Sequence, residues 1–311
     1  MSRRLNRDTI RTVVSLAAIV AGLAFLAWPV VCEMLVAMRA EQSISEIEGV
    51  YDAMSDDARS ENVAQARAYN MQLRGEDPGI DVWDYDSQLT YHDEPSTMMA
   101  WLEIPKIGSK LPVYHHTTET VLMAGVGHID TTSLPVGGEG NLCALSGHSG
   151  MQNARMFDDI RFLDKGDEFV VWTLKEPYAY RVCDIRTVLP DEDELLKRQP
   201  GRDLCLLITC TPYNVNTHRL IIVGERCEYD PTSDKMAKSI ESVANRRTLP
   251  LIVTTAVVVA VAATVALRRH AARRQKSGEG TSVKETGTDG DPDDQEASTR
   301  KKPVDEGVRM E

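Results

Sequence analysis

Two long apolar segments limit what this chain can fold into more than any other feature of its sequence. Residues 13–32 include a single polar residue, Ser15, and a second apolar stretch covers residues 249–267. A helix needs about 20 apolar residues to cross the hydrocarbon core of a bilayer. The sequence therefore predicts two transmembrane helices, over 13–37 and 249–267, and argues against a purely soluble protein.

Basic residues on the outer side of each apolar segment predict the orientation of the chain. They are Arg3, Arg4, Arg7 and Arg11 before the first segment and Arg268, Arg269, Arg273, Arg274 and Lys276 after the second. Cytoplasmic flanks are enriched in Lys and Arg, so we expect a multi-pass cell membrane protein with both ends in the cytoplasm and its middle outside. A signal peptide cleaved near residues 37–40 is the alternative for the first segment.

The middle of the chain is acidic and has two kinds of pattern. Residues 38–248 carry 35 acidic and 21 basic side chains, and because such a surface repels nucleic acid, no nucleic-acid partner is expected. Helical spacing of apolar residues over 41–74 predicts one or two amphipathic helices, followed by an irregular acidic loop over 75–97. From Met98 onward, short β-branched and apolar runs separated by Gly and Pro predict a mainly β domain, a closed or nearly closed barrel.

Cys210 is the best candidate for a nucleophile. It ends an apolar run and stands just before the turn at Pro212, although a buried structural cysteine is the alternative. The next run opens near Arg219, and strands joined by so short a loop pair antiparallel, which brings Arg219 beside Cys210. A cation there favours the thiolate and can stabilise an oxyanion, whereas a surface ion pair is the alternative role for Arg219.

A general acid or base has to come from another part of the chain. His148 lies between Gly147 and Ser149–Gly150, directly after an apolar run, which exposes its imidazole at a strand end. Five other histidines compete with it: His92, His115, His116, His128 and His218. Spacing does not choose among them, so the residues alone indicate Cys–His chemistry without fixing the histidine.

Collinear motifs in the barrel region are similar to those of one enzyme family. Thr209–Tyr213 and Asn216–Leu220 resemble the active-site signature of sortases, the membrane-anchored cysteine transpeptidases of Gram-positive bacteria. Five further segments resemble the class C, or pilin-polymerising, branch: Ile104–Ile107, Leu111–His115, Gly125–His128, Thr132–Gly138 and Ser146–His148. A membrane helix after the catalytic domain is also typical of class C.

This resemblance implies an eight-stranded sortase-type β-barrel with short helices. Cys210 would be the nucleophile, His148 the general acid and base, and Arg219 the residue that binds the oxyanion and orients the substrate. The implied substrates are pilin subunits with an LPxTG-like sorting signal, cleaved between Thr and Gly through a thioacyl intermediate and transferred to a pilin lysine. Pilins and the membrane are the expected partners, and neither a cofactor nor a metal is implied.

Class C enzymes also resemble one another in a lid over the active site, and the loop at 75–97 is in the matching place. We expect Asp81 to pair with Arg219 and Trp83 to cover Cys210, because a carboxylate can bind a guanidinium through two hydrogen bonds and an indole can shield a thiolate. A solvated acidic loop is the alternative. Four positions depart from the family pattern without removing a catalytic residue: His116, Ser149, Leu206 and Asn214.

Together these arguments give one expected organisation. It comprises a cytoplasmic N-terminus (1–12), a transmembrane helix (13–37), helices and the acidic lid loop (38–97), the catalytic barrel (98–230), a juxtamembrane linker (231–248), a second transmembrane helix (249–267) and a disordered cytoplasmic tail (268–311). Cys205 and Cys227 fall on the two C-terminal strands, where a disulfide is conceivable. The rival functions are a sortase that anchors proteins to peptidoglycan and a non-catalytic, membrane-tethered binding barrel.

Overall fold

A computed structural model describes residues 7–90, 98–151, 155–192, 197–212 and 215–231 of the chain. All of them belong to the first of two units into which the chain divides, Met1–Thr248 and Leu249–Glu311. The second apolar segment, the tail and all but the first residue of the expected linker lie outside the described residues, and so do His92 and Asn214.

Two helices precede the barrel, which confirms the helical pattern seen over 41–74. Helix α1 is Arg7–Ala53, and it continues without a break from the first apolar segment through the expected boundary at residue 38. Helix α2 is Asp56–Leu73, and it begins where the Ser55 hydroxyl accepts a hydrogen bond from the Ala58 amide at 3.2 Å. Among the residues described, no helix combines the length and the hydropathy needed to cross a bilayer.

Eight strands form the closed barrel that was expected. They are β1 (Met98–Ile104), β2 (Ser109–His115), β3 (Val126–His128), β4 (Leu142–Ser146), β5 (Glu168–Thr173), β6 (Glu176–Val188), β7 (Leu204–Thr211) and β8 (His218–Arg226). Their order around the barrel is β1-β2-β3-β4-β7-β8-β6-β5, and closure leaves no unpaired sheet edge. The short helix α3 is Glu119–Ala124, and 3₁₀ turns occur at Tyr85–Ser87, Pro105–Ile107 and Asp158–Phe162.

Two of the strand pairs are parallel, and one of them carries the site described below. β2 pairs with β3 and β4 pairs with β7 in parallel, whereas the other neighbours are antiparallel. The β4–β7 register sets Ser146 opposite Ile208. Parallel strands point in the same direction, so the segment that leaves the end of β4 emerges beside the end of β7.

Alternation along β7 separates two apolar clusters. Cys205 and Leu207 belong to the main core, whereas Leu204, Leu206 and Ile208 belong to a second cluster on the other face of the strand. Helix α1 adds to the main core through Tyr51, whose ring stacks on Trp101 at 6.4 Å between centroids. Residues 204–208 of β7 are therefore packed on both faces of the strand.

Candidate active site

The β7–β8 pairing brings Arg219 beside Cys210, as the sequence predicted. The register sets Cys210 directly opposite Arg219, one step from the end of each strand. Residues directly opposite in an antiparallel pair project from the same face of the sheet. Cys210 is half-buried, so its thiol is held by the strand and is still open to solvent.

The parallel pairing of β4 with β7 brings His148 to the end of β7, next to Cys210. Beyond the end of β4, the Gly147 amide donates to the Ile208 carbonyl at 3.0 Å, and the Thr209 hydroxyl donates to the Gly147 carbonyl at 2.7 Å. The Ser149 hydroxyl donates to the Cys210 carbonyl at 2.6 Å. Because hydrogen bonds bracket His148 on both sides, it lies level with Cys210.

A second set of contacts fixes the His148 segment from behind. The Phe157 amide donates to the His148 carbonyl at 2.9 Å, and the Gly150 amide donates to the Asp158 carboxylate at 2.6 Å. Gly147 lies against the Phe157 ring so closely that a Cβ there would stand 2.8 Å from a ring carbon. The position of His148 therefore depends on the absence of a side chain at Gly147.

The His148 imidazole faces a carboxylate of α3. Its Nε2 lies 3.4 Å from Oε1 of Glu119, and the side chains are 26% and 77% exposed. Thr118 caps α3 by accepting a hydrogen bond from the Val121 amide, which makes Glu119 the first residue of the helix. An ion pair this exposed contributes only ~0–1 kcal/mol when the histidine is protonated.

The guanidinium of Arg219 is directed by backbone oxygens. Its Nη1 donates to the His218 carbonyl at 3.3 Å and lies 3.5 Å from the Asn216 carbonyl. Within the described part of the chain, Arg219 forms no ion pair with a carboxylate. A guanidinium has five N–H donors, so most of its capacity to bind an oxyanion is left for a ligand.

The competing histidines have other contacts. His115 donates from its Nε2 to the Gln88 carbonyl at 2.9 Å, and His116 Nε2 lies 2.7 Å from the Asp86 carboxylate. His128 is fully buried and lies 2.8 Å from the Tyr85 hydroxyl. His218 is next to Arg219 in β8 and so projects from the opposite face. Of the described histidines, His148 alone lies level with Cys210.

A small cavity adjoins Cys210. Its volume is about 30 Å³, and its lining consists of Ser149, Phe157, Asp158, Arg161, Thr209, Cys210, Thr211 and Leu220. Among the described residues of this lining, Asp158 carries the one carboxylate and Arg161 the one cation. Burial raises the pKa of Asp158, and the hydrogen bond from the Gly150 amide partly offsets this rise.

The predicted lid residues are attached to α2 rather than to Arg219. Gln65 donates to the Asp81 carbonyl at 3.2 Å and accepts from the Trp83 amide at 3.1 Å. Asp81 is exposed, and no ion pair between Asp81 and Arg219 occurs in this structure. Trp83 is not part of the cavity lining beside Cys210. The lid role of both residues therefore stays a prediction.

Tyr85 joins the lid segment to the barrel, and no sequence motif indicated this role. Its ring packs edge-on against His115 and His116 with centroids 5.1 and 5.0 Å apart, and it stacks on His128 at 5.8 Å. Burial is the main cause that raises the pKa of Tyr85. His116, which replaces a usual glycine, has a φ of 64°, in the left-handed region that glycine favours.

The disulfide considered between Cys205 and Cys227 is not formed. The register sets Cys205 opposite Gly224 on β8 and opposite Cys143 on β4, whereas Cys227 lies beyond the end of β8 and donates its amide to the Ala179 carbonyl. Burial raises the pKa of the Cys205 thiol, and the neighbouring Cys143 raises it further. Among the described residues, no group of three or more His, Cys, Asp or Glu side chains could hold a metal ion.

Comparison with known proteins identifies the family of the barrel. The sortase domain family matches residues 102–227. The crystal structure of sortase C1 from Streptococcus agalactiae is 38% identical, has a TM-score of 0.57, and covers 61% of this chain and 100% of its own. Sortase C from Clostridium perfringens, solved with the C-terminal cell wall sorting motif, is 35% identical with a TM-score of 0.54, covering 61% and 100%.

A curated relative gives the same family over a shorter stretch. Sortase A of Bacillus anthracis is 32% identical over 124 residues, which are 40% of this chain and 57% of that protein. The chain thus spans little more than half the length of this relative. The chain belongs to the sortase family, and class C sortases are among its structural relatives.

Proposed function

We propose that this chain is a membrane-anchored class C sortase that joins pilin subunits through lysine side chains. The observation that carries the proposal is the meeting of Cys210, Arg219 and His148 at adjoining strand ends. A nucleophile, a cation and an acid–base group are the three parts that acyl transfer through a thioester requires. A binding barrel without catalysis needs none of them in this arrangement.

In the first half-reaction, the thiolate of Cys210 attacks the Thr carbonyl carbon of an LPxTG-like signal. Negative charge then develops on the carbonyl oxygen, and the Arg219 guanidinium stabilises it from the neighbouring strand. As the C–N bond to Gly breaks, the His148 imidazolium donates its proton to the leaving amine. The product is a thioacyl enzyme and a free peptide that begins with Gly.

In the second half-reaction, an amine replaces the thiol. The nitrogen attacks the thioester carbon, a C–N bond forms, and the C–S bond breaks. Neutral His148 takes the proton that the attacking amine loses, and Cys210 leaves as the thiolate. The enzyme returns to its starting ionisation state. No atom changes its oxidation state in either half-reaction, so no external reductant or oxidant is involved.

The segment around Asp81 and Trp83 is proposed to act as a lid. Gln65 binds the backbone of Asp81 and Trp83, and Tyr85 attaches the segment to the barrel just beyond them, so closure would break the two Gln65 hydrogen bonds while Tyr85 keeps the segment attached. In the closed arrangement we expect Asp81 to reach Arg219 and Trp83 to cover Cys210. The class C relatives and this anchored loop favour a pilin lysine over peptidoglycan as the acceptor.

Membrane anchoring is proposed from the N-terminal half of α1. Phe25 and Trp28 are 80% and 63% exposed, and Val14, Ile19 and Val20 are also exposed. Large apolar side chains exposed together indicate a lipid or protein environment. We expect the protein to remain in the membrane fraction after a carbonate wash, with tags at both termini protected from protease added outside cells. Digestion of either tag in intact cells would contradict the orientation.

Mass spectrometry of the intact protein tests the transpeptidase chemistry. We would incubate the full-length Trp83→Ala protein in detergent with an LPxTG peptide, and we expect an adduct that contains the peptide through Thr. Cys210→Ala should form none, while the matched variant Cys183→Ala, at a half-buried cysteine of β6, should form it normally. An adduct that persists in Cys210→Ala would contradict the assignment of the nucleophile.

The acceptor distinguishes a sortase that polymerises pilins from one that anchors proteins to peptidoglycan. The thioacyl enzyme would be offered a pilin-derived peptide with an internal lysine and, separately, an amine-bearing peptidoglycan stem peptide. We expect transfer to the lysine peptide to be faster. Preferential transfer to the stem peptide would favour wall anchoring instead of pilus assembly.

A further inference from the structure

The cavity beside Cys210 contains a residue that has no role in the proposed attack on the sorting signal. Its lining combines the nucleophile with Asp158, a carboxylate that is only 9% exposed. One oxygen, Oδ1, accepts the Gly150 amide at 2.6 Å. Among the described residues, the Asp158 carboxylate accepts no other hydrogen bond and forms no ion pair, so its second oxygen has capacity for a ligand.

The two nearby cations do not occupy this carboxylate. The guanidinium of Arg155 pairs with Asp159 at 3.3 Å. The guanidinium of Arg161 lies over the Phe162 ring, 4.8 Å from its centroid. Arg161 lines the same cavity, and the charges of Arg155 and Arg161 both act on Asp158, but among the described residues neither guanidinium forms an ion pair with this carboxylate. A buried carboxylate without an ion-paired cation favours binding of a cationic group from outside.

Size and charge both match the head group of an amine. The cavity volume of about 30 Å³ exceeds the ~10–15 Å³ that a water molecule needs, so the cavity accepts a group the size of ammonium. A lysine has a reference pKa of about 10.4 and therefore arrives as an ammonium ion at neutral pH. The nitrogen that attacks the thioester must come within about 3–3.5 Å of its carbonyl carbon, which Cys210 holds at the edge of this cavity.

We propose that the cavity is the entry site for the acceptor amine and that Asp158 binds its ammonium group there. This inference rests on the proposed transpeptidase function. The ammonium loses one proton to solvent while Asp158 holds it beside the thioester. The amine then attacks, the C–N bond forms, the C–S bond breaks, and His148 takes the second proton as Cys210 leaves as the thiolate.

The stability of the fold supports a functional role for this carboxylate. Burial raises the pKa of Asp158 above its value in the unfolded chain. A raised carboxyl pKa means that the protonated form is favoured in the folded state, so this contribution to stability is present at low pH and is lost as pH rises through the folded pKa. Asp158→Asn should therefore melt at the same temperature as wild type or higher at neutral pH.

The experiment compares a charged and an uncharged nucleophile on the same thioacyl enzyme. Full-length protein in detergent, with Trp83→Ala in every sample, would be acylated with an LPxTG peptide and treated with a lysine peptide or with hydroxylamine, which is uncharged at neutral pH. The readout is kcat/KM for lysine divided by kcat/KM for hydroxylamine. Slower acylation or a less ordered loop lowers both kcat/KM values equally, so such effects cancel in the ratio.

Asp158→Asn keeps an oxygen for the Gly150 amide and removes only the charge. We expect it to lower the ratio by about tenfold or more, as for loss of a charged hydrogen bond, mainly through a higher KM for lysine. The matched control, Asp159→Asn, removes the adjacent carboxylate that pairs with Arg155 and should keep the wild-type ratio. A wild-type ratio in Asp158→Asn would overturn the inference alone, whereas the absence of any thioacyl enzyme in the parent protein would overturn the proposed function as well.

Discussion

Strand β7 carries two cysteines five residues apart, and their surroundings differ in every respect that controls thiol chemistry. Cys205 faces the main core, between Cys143 on β4 and Gly224 on β8. Cys210 lies near the strand end, between the His148 segment that follows β4 and Arg219 on β8. The same two neighbouring strands thus give one cysteine apolar or small partners and give the other an acid–base group and a cation.

The comparison shows that the position along one strand decides whether a thiol is buried or open to solvent. An odd separation of five residues sends the two side chains to opposite faces of β7. Burial raises the pKa of Cys205, which keeps it a thiol, while Cys210 is half-buried and lies beside a cavity. The thiolate is the nucleophilic form of cysteine, so only the second position suits catalysis.

The largest expected effect comes from exchanging each cysteine for alanine. Cys210→Ala should abolish the thioacyl adduct, because the reaction loses its nucleophile. Cys205→Ala should keep the adduct, and its small cavity should cost ~1 kcal/mol, which corresponds to a lower melting temperature by about 2–4 °C. Intact mass and thermal melting measure the two effects. Loss of the adduct in a folded Cys205→Ala protein would break the comparison.

A nearly as large effect is expected at the β8 partner of Cys210. Arg219→Ala should slow acylation by about 10²–10³-fold, the usual effect of removing one oxyanion donor. Arg219→Lys should recover part of the rate, since it keeps the charge but not the planar fork of donors. Single-turnover acylation is the measurement. Arg226→Lys is the control on the same strand, where the guanidinium lies 4.7 Å from the Tyr178 ring centroid, and it should react like wild type. Equal rates for Arg219→Ala and wild type would remove Arg219 from the mechanism.

Alkylation of the native protein compares the thiols without mutation. Iodoacetamide should modify Cys210 within minutes, while Cys143 and Cys205 should react only after the barrel unfolds, because both are buried. Peptide mapping after a timed reaction assigns the modified cysteines, with a urea-unfolded sample as the reference for full reactivity. Labelling of Cys205 as fast as Cys210 would mean that β7 opens locally.

Local sequence was sufficient for the part of the site that lies on neighbouring strands. The seven residues between Cys210 and the strand opening at His218 leave little freedom in register, so the proximity of Cys210 and Arg219 followed from the sequence. The N-terminal helices followed from their apolar spacing. Strand β3 did not, because three residues are too few to show alternation. Gly127 lies so close to the His116 carbonyl that a Cβ added there would clash with it.

The rest of the site depends on contacts between distant parts of the chain. His148 becomes distinct from the other histidines only through the parallel β4–β7 pairing, which joins segments about 60 residues apart and has no local signature. Asp158 likewise depends on the hydrogen bond that its carboxylate accepts from the Gly150 amide. Gln65 depends on its hydrogen bond to the Asp81 carbonyl in the lid segment. Polar side chains of this kind look like ordinary surface residues in sequence.

The smallest expected effect concerns the carboxylate beside His148. Glu119 lies 3.4 Å from His148 Nε2 but is mostly exposed, so solvent and salt screen the pair. Glu119→Gln should change the acylation rate by less than about threefold, and the difference should vanish at high salt. Glu139→Gln, at an exposed carboxylate outside the site, is the control for a change in net charge. A tenfold or larger loss that survives high salt would mean that Glu119 orients the imidazole in the acylation transition state, which would add a third partner to His148 and Arg219 that Cys205 lacks.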